Sequence, residues 1–124
     1  MEVKPKVESN NTNENKKIRI RYDFETGYVL LRVSATTNPN KLAGAIVSHF
    51  RDGSKALVVS FIGMQTMSVA LKGVSVAQIY LANESSEKLN TKKLAIVPEF
   101  HEFENEQGQI DTMKFTLHII DGFN

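Results

Sequence analysis

The sequence contains no cysteine. That excludes a disulfide framework, a thiol nucleophile and a cysteine-bound zinc site. It fits a reducing compartment, and the expected location is the cytoplasm, with nucleus or cytoskeleton as alternatives. No apolar run approaches the ~20 residues a membrane-spanning helix needs, so no membrane partner is expected. The opening MEVKPKVESNNTNENKK lacks the apolar centre of a signal peptide and has too few Arg and too many Glu for a transit peptide. There is no glycine-rich loop of the P-loop or dinucleotide type, and no cofactor is expected. An excess of one charge is also missing: 15 basic residues face 14 acidic ones. The total therefore argues neither for nor against nucleic acid.

What is present is more uneven. Residues 1–82 carry a balance of +5 and residues 83–124 one of −4. Such asymmetry can mark a polar binding surface or arise by chance in a short chain. The 124 residues suffice for one domain with a single core. Residues 1–16 are polar, Asn-rich and contain Pro5. They cannot bury enough apolar surface to offset the entropy of ordering, so a disordered leader is expected before a domain spanning 17–121.

From Lys17 the pattern changes. Ile18, Ile20, Tyr22 and Phe24 alternate with Arg19, Arg21, Asp23 and Glu25, the period of a half-buried strand. Tyr22 and Phe24 then read as packing residues. A turn at Thr26-Gly27 leads to a more apolar strand over Tyr28 to Val33, and the two strands suit a hairpin with the first at a sheet edge. Asn38-Pro39 predicts a helix start, with Asn as cap and Pro at the first helical position. Leu42, Ala43, Ile46, Val47 and Phe50 follow at helical spacing until Asp52-Gly53 stops the helix, and Gly44 reads as a close-packing residue between helix and sheet. Ala56 to Ile62 reads as a buried strand.

The stretch 64–82 reads as one helix. Its only charge is Lys72. A helix this apolar usually buries more than one face, which points to a partner surface at Met64, Met67, Leu71 and Val74, as in a homodimer. The alternative is that the small residues Ala70, Gly73, Ser75 and Ala77 simply face solvent. After a polar connection, Leu94 to Phe103 and Gln109 to Ile120 read as paired strands around a turn at Glu106-Gln107-Gly108. Pro98 places the first of them at an edge or a bulge. The order is an additional N-terminal strand followed by βαβαββ, an α/β two-layer sandwich.

These elements carry a family resemblance. Val33-Ser34-Ala35, Pro39-Asn40 and Ala43-Gly44-Ala45 resemble the start of the stage V sporulation protein S family. Ile62-Gly63, Ala70 and Lys72 resemble its second helix entry, and Val97-Pro98-Glu99-Phe100 its Ile-Pro-x-Phe strand. The resemblance covers about residues 29–120. It implies an Alba-like fold, a dimer and nucleic-acid binding. The chain departs from that family at Thr36, where the resemblance implies Lys, and at Gln78, where it implies Arg. The loop Ile62-Gly63-Met64-Gln65 has no cation. The final hairpin, with Glu102, Glu104 and Glu106, is acidic where Alba proteins carry a basic arm.

Two clusters suit a nucleic-acid backbone. At the first helix start, Lys41 and Arg32 supply charge and Thr36, Thr37 and Asn40 supply hydrogen-bond donors beside the positive end of the helix dipole. On the leading strand, Lys17, Arg19 and Arg21 point to one face, which suits DNA, RNA or an acidic protein surface, or serves only to discourage edge pairing. Catalysis is poorly supported and no enzyme is expected. Ser48 and His49 are neighbours on a helix and do not face each other. Glu99 and His101 share a strand face but lack a third metal ligand. A second function class remains open: a structural or adaptor subunit of a larger protein assembly, cytoskeletal or ciliary for example, that has lost nucleic-acid binding.

Overall fold

The computed structural model describes residues 20–106 and 108–122. The leader 1–16, Lys17, Arg19 and Gln107 lie outside them. The elements are β1 (Arg21–Tyr22), β2 (Val29–Arg32), α1 (Pro39–Arg51), β3 (Ala56–Ile62), α2 (Met64–Ala82), α3 (Glu87–Asn90), β4 (Lys92–Asn105) and β5 (Gly108–Asp121). Five strands form one sheet in the order β1-β2-β3-β5-β4. Only β2 and β3 are parallel, joined by the α1 crossover. Pro98 sits on edge strand β4, in an unbroken register with β5 from Lys92↔Asp121 to Asn105↔Gly108.

Both long helices cover one face of the sheet. Leu57, Val59 and Phe61 of β3 join Phe115 and Leu117 of β5 in a core with Leu42, Ile46, Val47 and Phe50 of α1 and Ala70, Val74, Ala77 and Leu81 of α2. Of the small residues of α2, Ser75 faces solvent but the other three do not. Ala70, Gly73 and Ala77 are buried at helical spacing, where they let α2 approach α1 closely. A Cβ on Gly73 would collide with the side chain of Leu42. Gly44, read from sequence as the close-packing glycine, is exposed with nothing near its missing side chain.

The leading strand is shorter than its alternation predicts. Asp23 ends it, because its carboxylate accepts hydrogen bonds from the Thr26 amide at 3.0 Å and the Thr26 hydroxyl at 2.9 Å. Such local side-chain bonding competes with the ladder. Gly27, at φ 77°, completes the return. Phe24 therefore rides on a turn and is 99% exposed instead of packed. The turn reaches across the sheet face that carries no helix. There, Asp23 meets Lys114 of β5 at 3.2 Å, and Tyr28 meets His118 edge-on. Ala56 and Val58, which point to this face, are buried although they stand outside the main core. The short helix α3, absent from the sequence reading, is capped by the Ser86 hydroxyl and buries Leu89.

Candidate nucleic-acid interface

Because β2 and β3 run parallel, the loops that leave them open on the same end of the sheet. Both α1 and α2 begin there. Neither has an acidic residue in its first turn.

The loop from β2 to α1 is held by its own hydroxyls. The Ser34 amide donates to the Thr37 hydroxyl at 2.9 Å, and the Thr37 amide donates to the Ser34 carbonyl at 3.1 Å. The Ser34 hydroxyl shares hydrogen bonds with the hydroxyls of Thr36 and Thr37. Asn38 then caps α1: its side-chain oxygen accepts from the Asn40 amide at 2.8 Å and the Lys41 amide at 3.2 Å. Pro39 has no amide proton to offer. The first-turn amides of α1 are thus already engaged, and a phosphate would compete with Asn38 for them. What this end presents outward is side chains: Thr36, Asn40, Lys41 and Arg32 are exposed, and Thr37 is half-buried. Arg32 lies on the sheet face away from the helices and lines a cavity together with Ser34 and Ala35. The start of α2 differs. Gly63 supplies no side-chain cap, and the Thr66 hydroxyl turns back to donate to the Gly63 carbonyl at 2.9 Å.

Arg21, of the second cluster, is exposed on β1 opposite Leu30; its companions Lys17 and Arg19 lie outside the described residues. Of the four proposed partner residues, Met64 is 72% exposed and Leu71 41%. Met67 is partly buried against the core. Val74 belongs to the core itself, at 5% exposure, because it shares the helix face of Ala70 and Ala77. Ile79, 59% exposed, takes its place on the outer face.

Sequence reasoning missed the ion cluster over the open sheet face. Lys114 Nζ lies 3.2 Å from Asp23, 3.1 Å from Glu25 and 3.8 Å from Glu99. For Asp23, burial is the largest influence and pushes the carboxyl up, but the bonds from Thr26 and Lys114 outweigh it and hold it below the ordinary range. Burial likewise lowers Lys114, but its bonds to Glu25 and Asp23 win and raise it. The only sequence signal is a Lys on a strand face shared with Thr and His; its nearer acidic partners, Asp23 and Glu25, are 91 and 89 positions away. His101 and Glu99 are 3.5 Å apart and both exposed. No group of three potential metal ligands occurs among the described residues.

Gln78, where the resemblance implied Arg, has a structural task. Its amide nitrogen donates to the Lys92 carbonyl at 3.3 Å and its oxygen accepts from the Leu94 amide at 2.8 Å, fixing the start of β4 to α2. An Arg has no acceptor and would lose half of that clamp.

The family model of stage V sporulation protein S matches residues 29–120. The chain belongs to the stage V sporulation protein S family. The match takes in β2 through most of β5 and begins after β1. The family's Val-Ser-Ala loop and Pro-Asn helix start are, in this chain, the hydroxyl-bonded turn and the Asn38-capped entry to α1. Among solved structures, Alba from Thermoplasma volcanium is similar over 72% of this chain and 98% of its own, with a TM-score of 0.50 and 15% identity. That likeness is one of fold: an Alba-like α/β sandwich. No curated protein matches the chain. No helix among the described residues is long and apolar enough to cross a membrane.

Proposed function

We propose that the chain binds nucleic acid without catalysing a reaction, through the phosphate backbone and as a dimer. One observation carries this reading. Two helices start at the same end of the sheet with no acid in either first turn, and exposed Lys41, Arg32, Thr36 and Asn40 stand beside them. The helix dipoles and the charges of Lys41 and Arg32 favour an anion beside these helix starts. Thr37 braces the loop from within. Arg21, exposed on edge strand β1, adds a cation there, and Lys17 and Arg19 precede it in the sequence. The dimer joins through the outer face of α2, where Met64, Leu71 and Ile79 recur at helical spacing.

The test is a fluorescence-anisotropy titration with DNA and RNA at low and moderate salt. Binding should weaken with salt, and further in Lys41→Glu and in Arg19→Glu/Arg21→Glu. Absence of binding at low salt refutes the proposal. A second reading has its own observation. The β4–β5 hairpin extends beyond Ile62↔Thr112 at this same end. It brings exposed Glu102 and Glu106, which repel phosphates. An adaptor subunit would use that arm on a basic protein surface. A stable monomer that captures no protein partner would refute the adaptor.

A further inference from the structure

A cavity of about 480 Å³ opens at the carboxyl ends of β2 and β3. Leu30, Phe61 and Met113 give it an apolar floor, while Arg32, Ser60 and Thr112 bring a cation and two hydroxyls to its walls. The Asp23–Lys114 pair, drawn across the sheet by the turn, closes one side. Among the described residues Arg32 pairs with no carboxylate. The volume suits a small planar ligand, within the roughly 300–1,000 Å³ typical of ligand pockets. Its chemistry suits one that is apolar on its faces, rich in hydrogen-bonding groups at its edge and attached to an anion.

The position narrows the ligand further. Ser34 and Ala35 line the cavity, and the same turn presents Thr36 outward beside Asn40 and Lys41. A phosphate held on the outer side of that turn stands next to the cavity mouth. A stacked, paired base cannot enter such a recess, whereas an unpaired base can be splayed into it. We propose that this cavity receives one unpaired nucleobase, so that the domain selects single-stranded over duplex nucleic acid. The inference rests on the backbone-binding reading and adds to it the form of nucleic acid bound. A nucleotide of a strand and a free nucleotide share this chemistry, and the test separates them.

The experiment compares a labelled short single strand with its duplex by anisotropy at low salt, using the full chain, Ser60→Phe and Ile62→Trp. Both substitutions fill the cavity. Ile62 is largely exposed, so its variant folds even where Ser60→Phe does not; circular dichroism verifies each. The full chain should prefer the single strand by about 10-fold or more. The variants should lose on the order of 10- to 100-fold of strand affinity, the scale of one stacked base, with duplex binding unchanged. Lys41→Glu should weaken both forms together. Equal affinity for strand and duplex, or unchanged strand binding in the folded variants, overturns the cavity assignment and leaves backbone binding standing. No binding of either form overturns both. A mononucleotide that binds more tightly than the strand, and is lost in Ile62→Trp, overturns the strand as occupant.

Discussion

Two glycines lie inside helices, and replacing each with alanine should change stability in opposite directions. In an unobstructed helix the exchange stabilises by about 0.5–1 kcal/mol, because alanine loses less backbone entropy on folding. Gly44 meets that condition: it is exposed, and nothing lies within 4 Å of a Cβ built there. Gly73 does not. Its Cβ would stand 2.9 Å from Leu42 Cγ and 3.2 Å from Leu42 Cβ, and closer still to the Leu42 methyl. Ordinary carbon contacts lie at about 3.5–4.0 Å. A terminal methyl can swing aside, but Cγ moves only if Leu42 leaves its packed χ1 rotamer, and Cβ moves only with the helix. Overpacking of this kind costs about 1–3 kcal/mol. Against the gain in helix propensity, the net for Gly73→Ala is a loss of about 1 kcal/mol. The two variants should thus differ by about 1.5–2 kcal/mol, on either side of the wild type. Urea denaturation followed by circular dichroism reads this directly, with unchanged m-values as the check that only stability moved. Adding Leu42→Ala to Gly73→Ala should cost less than Leu42→Ala costs in the wild type, since the closest contacts, to Cγ and the methyl, disappear. A Gly73→Ala protein as stable as wild type, or more so, would refute the close helix contact as the reason for this glycine.

Three other outcomes are expected. Asn38→Ala should lower stability by about 1 kcal/mol, because two first-turn amides lose their acceptor; denaturation curves measure it. Lys114→Met should cost about 2 kcal/mol at neutral pH by leaving buried Asp23 without its cation. The wild type holds Asp23 below its unfolded value near pH 4, so that contribution is present above about pH 4 and fades as acid protonates the folded carboxylate. Lys114 is held high, so its share persists up to about pH 10 and fades only as pH rises through the folded value. The gap between wild type and Lys114→Met should accordingly close in acid, and a gap that stays constant to pH 2 would contradict the assignment. Phe24→Ser should leave stability within about 0.5 kcal/mol, because the ring touches nothing; a larger loss in a thermal melt would mean that the turn packs against something.

The parts legible in the sequence were those set by local period and capping. Asn38-Pro39, the apolar run of β3, the span of α2 and the alternation of β5 each declare themselves within one continuous stretch of chain. The βαβαββ order follows from them. What failed was whatever depended on a neighbour distant in sequence. Alternation extends β1 through Phe24, but the bonds that Thr26 donates to the Asp23 carboxylate end it early. Sequence spacing assigns the close contact to Gly44, whereas it belongs to Gly73, since the partner of α2 is Leu42 on another helix. Val74 reads as surface for the same reason. The cavity and the Lys114 cluster are built from β1, β2, β3 and β5 together, so no single stretch contains their signal. At the α1 start the residues were legible and their donors were not: Asn38 marks the cap and simultaneously occupies the amides a ligand would want.

The place of β5 in the sheet has a consequence for how the domain is made. Of the five strands of the sheet it comes last in the chain, yet it lies between β3 and β4 and gives Phe115 and Leu117 to the core. While the ribosome is still adding these residues, β3 has an unpaired edge and α1 and α2 have only half a sheet to rest on. The domain therefore closes late, and nascent chains halted before Gly108 should be the ones that chaperones hold and proteases cut.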